Sequence, residues 1–321
     1  MASNQIQLSI IVPVKNEQSS IATFLGAVVP VCESMVKRFE IVFIDDGSTD
    51  ATLGLLKDEQ LRHQQIRIVK LSRNFGKEAA LSAGLSVSRG DAVIPMDVDM
   101  QDPPEVLPLL YKRHLEGFDS VVAVRKTRTG DSVFKRFFAA SFYRLFVWTS
   151  RDQVVPNAGD FRLLSRRVVD ILNEMPERTR FMKGMFSWPG FETAYVEYER
   201  LKRSAGKSQW RFSSLWSLAL DGIFNHSTLP LKIWTYVGFL VALMALGYML
   251  VIVSKTMFLG VDVPGYASLL SIVLLIGGIN LMGVGILGEY VGRIFIEIKG
   301  RPLYLIDEII EPGNKDTKSQ K

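Results

Sequence analysis

Ala92-Val-Ile-Pro-Met-Asp97-Val-Asp99-Met-Gln101-Asp102-Pro-Pro104 is an apolar run that ends in three carboxylates, an amide and two prolines. In an extended strand, residues two apart point to the same side, so Asp97 and Asp99 are expected to face the same way. The prolines lack a backbone N–H group and stop the strand from continuing. Oxygen ligands at a strand end suit a hard divalent cation, Mg²⁺ or Mn²⁺, which in turn binds a diphosphate. The alternative for these residues alone is a pair of solvated acids in an edge turn.

Apolar runs alternate with helical patterns on both sides of this stretch. The strand-like runs are 8–14, 40–44, 66–71, 92–96 and 120–124, and helical patterns cover 20–35 and 77–88. Such alternation with short connections predicts an α/β fold with a mostly parallel sheet. Because ligands bind at the carboxyl ends of the strands in such sheets, a site is expected where polar clusters follow them. The clusters are Pro13–Glu17, Asp45–Asp50 and Asp97–Asp102.

The composition of the 321-residue chain points to a membrane and to an anionic partner. Hydrophobic residues make up 48% of the chain and the mean hydropathy is +0.17, which is high for a soluble enzyme. The net charge of +5 is compatible with nucleic acid, an anionic lipid or a phosphorylated substrate. A single cysteine, Cys32, excludes an intrachain disulfide and a cysteine-based zinc cluster. The polar N-terminus, Met1–Leu8, does not resemble a secretory signal.

The usual phosphate-binding loops are missing from this sequence. It contains neither G-x-G-x-x-G after the first strand nor the P-loop pattern G-x-x-x-x-G-K-[ST]. Acids stand where those folds place glycines. A nucleotide diphosphate is therefore expected to be held through a metal ion.

Four motifs occur in order along the chain: Ile-Val-Pro-Val-Lys-Asn-Glu17, Ile-Asp45-Asp46-Gly-Ser-Thr-Asp, Asn74-Phe-Gly-Lys77 and Met-Asp97-Val-Asp99-Met-Gln101-Asp102. Together they resemble glycosyltransferase family 2, and within it the polyprenyl-phosphate glycosyltransferases such as dolichyl-phosphate mannose synthases and bactoprenol glucosyltransferases. The resemblance extends over about residues 6–310. It implies a GT-A type nucleotide-sugar-binding domain that uses Mg²⁺ or Mn²⁺.

The resemblance also implies roles for particular residues. The metal would be held by Asp97, Asp99 and Gln101, and the nucleotide sugar would be bound by Pro13, Val14, Asn16, Glu17, Asp45, Asp46, Lys77 and Asp97. Asp160, in a Gly-Asp-Phe-Arg segment, matches the catalytic base, and phosphate would be bound by Arg203, Lys207, Arg125 and Arg136.

Two of these roles leave alternatives open on physical grounds. The segment after Asp46 also fits a turn and a helix N-cap. A phosphate monoester with a second pKa of about 6 is already largely dianionic at neutral pH, so Asp160 either takes a residual proton or only orients the acceptor.

Two uncharged stretches, about 233–253 and 269–288, are each long enough to cross a hydrocarbon core. They predict a two-helix transmembrane hairpin within residues 229–290, preceded by a cytoplasmic catalytic domain of residues 1–228 and followed by a cytoplasmic tail, 291–321. Positive residues outside the hairpin tip favour this orientation: Lys232, Arg293, Lys299 and Arg301. A Phe-rich amphipathic pattern at about 133–148 predicts an interfacial helix, with an ordinary core helix as the alternative. A Trp-containing pattern at about 210–226 predicts a second interfacial helix. The segment Arg293–Ile310 is expected to pack on a neighbouring protomer of a homo-oligomer.

Together with the two apolar stretches, the resemblance implies a multi-pass enzyme of the bacterial inner (cytoplasmic) membrane with both termini cytoplasmic. Its expected reaction is inverting, metal-dependent transfer of a hexose, glucose from UDP-glucose in the leading interpretation, to undecaprenyl phosphate. The product would serve cell-envelope glycan modification, such as that of lipopolysaccharide O-antigen, through a separate flippase and a downstream glycosyltransferase. No nucleic-acid partner is expected. The alternatives are another donor (GDP-mannose or a UDP-aminosugar), a processive polysaccharide synthase, and a non-catalytic membrane scaffold on the same fold.

Overall fold

The computed structural model describes residues 5–126, 158–178, 180, 182–199, 229–259 and 265–313. They form two compact units, one made of the residues up to 199 together with those from 301, and one made of the residues from 229 to 300. Both predicted interfacial helices lie outside the described residues, as do the phosphate-binding candidates Arg136, Arg203 and Lys207.

The first unit is built on an eight-stranded sheet in the order β7-β5-β6-β4-β1-β2-β3-β8. The strands are β1 Leu8–Val14, β2 Phe39–Asp45, β3 Ile66–Leu71, β4 Ala92–Pro95, β5 Ser120–Arg125, β6 Ala158–Ser165, β7 Thr193–Tyr198 and β8 Ile306–Ile310. Strands β1 to β4 are mutually parallel, β7 is parallel to β5, and β6 and β8 run antiparallel to their neighbours. The predicted α/β fold with a mostly parallel sheet is confirmed.

Helices cover both faces of this sheet because its central strands are apolar on both sides. Those of the first unit are α1 Ile21–Met35, α2 Thr52–Arg62, α3 Lys77–Val87, α4 Leu107–Leu115, α5 Arg166–Glu174 and α6 Met182–Met185. Strand β2 shows the alternation: Phe43 packs in the core that contains α1 and α4, whereas Val42 packs in the core that contains α3 and α5. The sheet is therefore buried between two helical layers.

Register brings the polar loops to one edge of the sheet. Val14 at the end of β1 lies beside Asp45 at the end of β2, and β1 pairs with β4 up to Pro95. Because β6 runs antiparallel to β4 and β5, the start of β6 meets the ends of those parallel strands. The residues that follow β1, β2 and β4 therefore lie near the residues that open β6.

The C-terminal segment adds strand β8 to the free edge of β3, which the sequence did not predict. Ile310 pairs with Ile68, and the backbone N–H of Ser72 donates to Leu305 O at 2.9 Å. The described end of the predicted tail thus belongs to the first unit of its own chain. Packing of the tail on a neighbouring protomer stays a prediction.

Glu311, directly after β8, binds two arginines of the first unit. Its Oε1 lies 2.9 Å from Arg67 Nε and 2.7 Å from Arg89 Nη2. Arg67 is buried and also lies 3.9 Å from the buried Glu40. The ion pairs at Glu311 therefore hold the segment after β8 against the first unit.

Replacing Glu311 with Gln is expected to lower the free energy of unfolding by about 1–2 kcal/mol, because two arginines lose their charged acceptor. Thermal unfolding of the full chain in detergent measures this as a fall of several degrees in the midpoint. Glu308→Gln, at an exposed acid within β8, is the matched control. Equal midpoints for the two variants would contradict a stabilising role for these ion pairs.

The second unit contains two long helices, α7 Leu229–Leu259 and α8 Tyr266–Lys299. Both are long and apolar enough to cross a membrane, over Ile233–Ile252 and Leu275–Lys299, and only 0% and 6% of those windows are buried. A helix pair in a soluble core would bury most of these side chains. Within the pair, Gly283 is buried, and a Cβ atom there would overlap the indole of Trp234. A small residue is thus needed where α8 meets Trp234 of α7.

Candidate active site

The acids after β4 sit in a turn at the carboxyl edge of the sheet. Asp97 and Asp99 are half-exposed while Val98 between them is buried. They follow β4 rather than continue it, so the same-side orientation expected for a strand stays a prediction. Met100 has φ 57°, a left-handed conformation that is uncommon for a residue other than glycine. This conformation turns the chain, and Asp99 Oδ1 then accepts from the backbone N–H of Gln101 at 3.2 Å.

Lys77, the first residue of α3, joins two of the predicted site acids. Its Nζ lies 2.7 Å from Asp97 Oδ1, 2.8 Å from Asp97 Oδ2 and 3.0 Å from Asp160 Oδ2. Burial acts to lower the pKa of Lys77, but the charges of Asp97 and Asp160 outweigh it and raise that pKa above its ordinary value. The ammonium group therefore stays charged, and it holds the proposed metal ligand and the proposed base beside each other.

Asp160 reaches this cluster because it lies near the start of β6. Val124 of β5 pairs with Ala158, which places Asp160 close to the end of β5. A Cβ on Gly159 would lie 3.1 Å from Arg125 Nη2, so the Arg125 guanidinium packs directly against the backbone beside Asp160. The structure thus brings Asp97, Lys77, Asp160 and Arg125 to one edge of the sheet.

Arg162 is a buried charge that sequence reasoning missed. It is 4% exposed, donates from Nη2 to Gly159 O at 2.8 Å and stacks over the Phe186 ring with its Cζ 4.4 Å from the centroid. Burial lowers the pKa of Arg162 to about 10, and the charge of Asp160 opposes that shift. The Gly-Asp-Phe-Arg segment could have pointed to Arg162, because a charged residue buried in an apolar strand needs a partner.

Hydrogen bonds join the loops after β1 and β2, and they involve residues predicted to bind the nucleotide sugar. The backbone N–H of Asn16 donates to Ser48 Oγ at 3.0 Å, and Asn16 Oδ1 accepts from Thr49 N at 2.8 Å. Asn16 has φ 55°, which asparagine tolerates better than most residues. Asp45 is buried and accepts from Ser48 N at 3.0 Å. Pro13 and Glu17 are half-buried and Val14 is buried beside them.

Asp46 is bound to the protein's own backbone. Its two carboxylate oxygens accept from Phe75 N at 2.7 Å and Gly76 N at 2.9 Å, and the residue is 4% exposed. Gly47 has φ 67°, and a Cβ there would lie 2.7 Å from Asn74 N. Asp46 therefore holds the loop that leads into Lys77. Its direct contact with a nucleotide sugar stays a prediction.

Tyr198, at the end of β7, is another residue that the sequence did not single out. Its hydroxyl donates to Asp102 Oδ1 at 2.5 Å and accepts from Arg125 Nε at 3.3 Å. Burial and the neighbouring Asp102 raise the pKa of Tyr198 to about 12, so the hydroxyl keeps its proton. The sequence did not distinguish Tyr198 from other strand residues, because tyrosine is common in strands.

The turn after β4 carries oxygen groups of the types that divalent cations take. Asp97, Asp99 and Gln101 supply carboxylate and amide oxygens, and Asp97 already holds the Lys77 ammonium with both oxygens. Within the described part of the chain, no three His, Cys, Asp or Glu side chains form a complete metal cage. Mg²⁺ commonly binds through one or two carboxylates plus substrate phosphates, which suits this arrangement.

Two protein-family models match the chain. The model for glycosyl transferase family 2 matches residues 9–172, which include the loops of the site, and the model for the GtrB C-terminal hairpin matches residues 229–294, which include α7 and most of α8.

Similar proteins align over almost the whole chain. A prophage-derived bactoprenol glucosyl transferase of Shigella flexneri is 46% identical over 301 residues, covering 94% of this chain and 97% of that protein. A prophage bactoprenol glucosyl transferase homolog of Escherichia coli is 45% identical and covers 95% of this chain and 99% of that protein. An uncharacterized glycosyltransferase of Synechocystis is 45% identical and covers 95% and 96%. The chain therefore belongs to glycosyl transferase family 2, and it is a glycosyltransferase whose catalytic unit has a GT-A type fold.

Proposed function

We propose that this enzyme transfers glucose from UDP-glucose to undecaprenyl phosphate. The observation that carries the proposal is the convergence of Asp97 and Asp160 on Lys77 at the carboxyl edge of the sheet, in a chain that also has two apolar helices. Relatives named as bactoprenol glucosyl transferases, 45–46% identical, support the choice of glucose and of this lipid.

The residues of the site divide between the donor and the acceptor. We assign Asp97, Asp99 and Gln101 to a Mg²⁺ or Mn²⁺ ion, which when bound would hold the donor diphosphate and stabilise charge on the departing UDP. Lys77 adds a fixed positive charge beside Asp97. The Lys77 ammonium group stabilises negative charge that develops on the leaving group.

Asp160 and Arg125 would act on the acceptor. The guanidinium of Arg125 suits bidentate binding of the lipid phosphate. An oxygen of that phosphate attacks the anomeric carbon from the face opposite to UDP, so the C–O bond to UDP breaks and the configuration inverts. Asp160 orients the acceptor phosphate and accepts the proton of any monoanionic acceptor.

The membrane helices agree with a lipid acceptor. A soluble acceptor requires no anchor, whereas a polyprenyl phosphate stays in the bilayer. We propose a bacterial inner-membrane location with the catalytic unit and both termini cytoplasmic, as the excess of positive residues outside the hairpin tip favours. The product would then need a separate flippase and a downstream glycosyltransferase, and the enzyme would act as a homo-oligomer.

A panel of donors tests the choice of sugar. Purified full-length protein is incubated with short-chain polyprenyl phosphate and, separately, UDP-glucose, GDP-mannose or a UDP-aminosugar, and the lipid product is measured. UDP-glucose is expected to give the highest kcat/KM. A higher value for another donor would overturn the assignment of glucose and keep the reaction class, whereas no lipid product with any donor would favour the scaffold alternative.

A further inference from the structure

We propose that Tyr198 is a positioning residue: its hydroxyl, held by Asp102, sets the orientation of the Arg125 guanidinium toward the acceptor phosphate. This inference rests on the proposed function, in which Arg125 binds that phosphate. The three residues come from different parts of the sheet, since Tyr198 ends β7, Arg125 ends β5 and Asp102 closes the turn after β4.

Strand pairing brings Tyr198 to Arg125. The two residues are direct partners in the parallel pairing of β5 with β7, and Lys126 N donates to Tyr198 O at 3.0 Å. The Arg125 Nε then reaches the Tyr198 hydroxyl at 3.3 Å, and its Nη2 packs against Gly159. The Nε side of the guanidinium is thus held by Tyr198. Its Nη2 lies beside Gly159, the neighbour of Asp160 in the chain.

The direction of the two hydrogen bonds follows from their chemistry. An arginine only donates and an ionised carboxylate only accepts, so the hydroxyl must accept from Arg125 and donate to Asp102. Tyr198 and Asp102 are 4% and 5% exposed, so water replaces neither bond easily. Removing the hydroxyl would leave the Arg125 Nε without this acceptor and Asp102 without this donor.

The same contacts link the acceptor side to the metal side. Asp102 follows Gln101 in the turn that carries the predicted metal ligands Asp97 and Asp99. One buried hydroxyl therefore bonds both to that turn and to the arginine assigned to the acceptor.

Packing alone is the competing explanation for this tyrosine. The Tyr198 ring meets Phe161 edge to face, with centroids 5.8 Å apart. Phenylalanine would keep this contact and lose only the hydroxyl, so Tyr198→Phe separates positioning from packing. Tyr195→Phe is the matched control, because Tyr195 lies on the same strand and is 51% exposed.

The experiment measures KM for polyprenyl phosphate, KM for UDP-glucose, kcat and thermal unfolding in full-length protein. Tyr198→Phe is expected to raise the acceptor KM by about 10-fold and to leave the donor KM within about 2-fold, as the loss of one hydrogen bond to a charged group would give. Tyr195→Phe is expected to change none of these. An unchanged acceptor KM in Tyr198→Phe, or equal changes in both KM values, would overturn the inference.

Arg125→Lys is a second variant that keeps the charge and removes the Nε bond. It is expected to raise the acceptor KM selectively, and adding Tyr198→Phe to it should produce little further change, because the two substitutions remove the same contact. Fully additive effects would contradict the proposal. If Tyr198→Phe does not fold, Arg125→Lys decides alone: an unchanged acceptor KM overturns the inference. Failure of the wild-type protein to glycosylate the lipid would instead overturn the proposed function.

Discussion

Replacing Asp99 with Asn is expected to lower the rate of glucosyl transfer by about 10²–10³-fold, since an amide is a far weaker ligand for a divalent cation than a carboxylate. The structure gives this residue a defined place: Asp99 lies half-exposed in the turn where Met100 has a positive φ, two residues after Asp97. The substitution keeps the size of the side chain, and the amide oxygen can still accept from Gln101 N. The loss should therefore arise from metal binding rather than from unfolding.

Binding of Mn²⁺, followed by electron paramagnetic resonance in the presence of UDP, is the measurement that assigns the cause. Asp99→Asn is expected to weaken Mn²⁺ binding together with activity. Asp91→Asn is the matched control. Asp91 is an exposed aspartate directly before β4, at the end of that strand away from Asp99. Retention of both metal binding and transfer in Asp99→Asn would remove Asp99 from the metal site.

Replacing Asp160 with Asn is expected to lower kcat by about 10²-fold or more, with a smaller effect on donor binding. The carboxylate lies 3.0 Å from Lys77 Nζ, so its removal also leaves Lys77 paired with Asp97 alone. Because the lipid phosphate has a second pKa of about 6, it is mostly dianionic above neutral pH. The loss is therefore expected to stay constant from about pH 7 to 9, as an orienting role requires.

The pH dependence distinguishes the two roles of Asp160. A loss that shrinks as the pH rises would show that Asp160 chiefly removes a proton. Asp170→Asn serves as the control, because Asp170 is an exposed carboxylate whose ion pair with Arg166, at 3.7 Å, lies outside the site. Turnover within a few-fold of wild type in Asp160→Asn would make the residue structural.

The central part of the fold was predictable because local patterns and sheet geometry agree there. Leu8–Val14 and Ile66–Leu71 are strands with the bounds that the apolar runs indicated. Asp97 and Asp99 follow a strand whose position fixes their place at the carboxyl edge. These acids could be identified as site candidates from the sequence, because charged residues stand out at the end of an apolar run.

Strand β8 was not predictable in the same way. It is a run of five residues, and its partner β3 lies more than two hundred residues earlier in the chain. No local pattern states which edge such a strand will join, and two long helices separate it from the rest of the catalytic unit. The pairing depends on the free edge of β3 and on Glu311 binding Arg67 and Arg89.

Side-chain roles were the least predictable part of the site. Asp45 and Asp46 are adjacent acids, yet the structure binds Asp46 to Phe75 N and Gly76 N through both oxygens. Residue type cannot distinguish a carboxylate that binds a ligand from one that accepts backbone N–H groups. Likewise, Tyr198 acquires its partners only through the pairing of β5 with β7.

The most direct test of the account is transfer of labelled glucose from UDP-glucose to undecaprenyl phosphate by the purified full-length enzyme. The reaction is run with Mg²⁺ or Mn²⁺, with EDTA, and with metal restored after EDTA. The account predicts a glucosylated lipid that forms with the metal, disappears with EDTA and returns when metal is restored. Lipid glucosylation that persists in EDTA would contradict the metal role of Asp97 and Asp99, and the absence of any glucosylated lipid would contradict the proposed reaction.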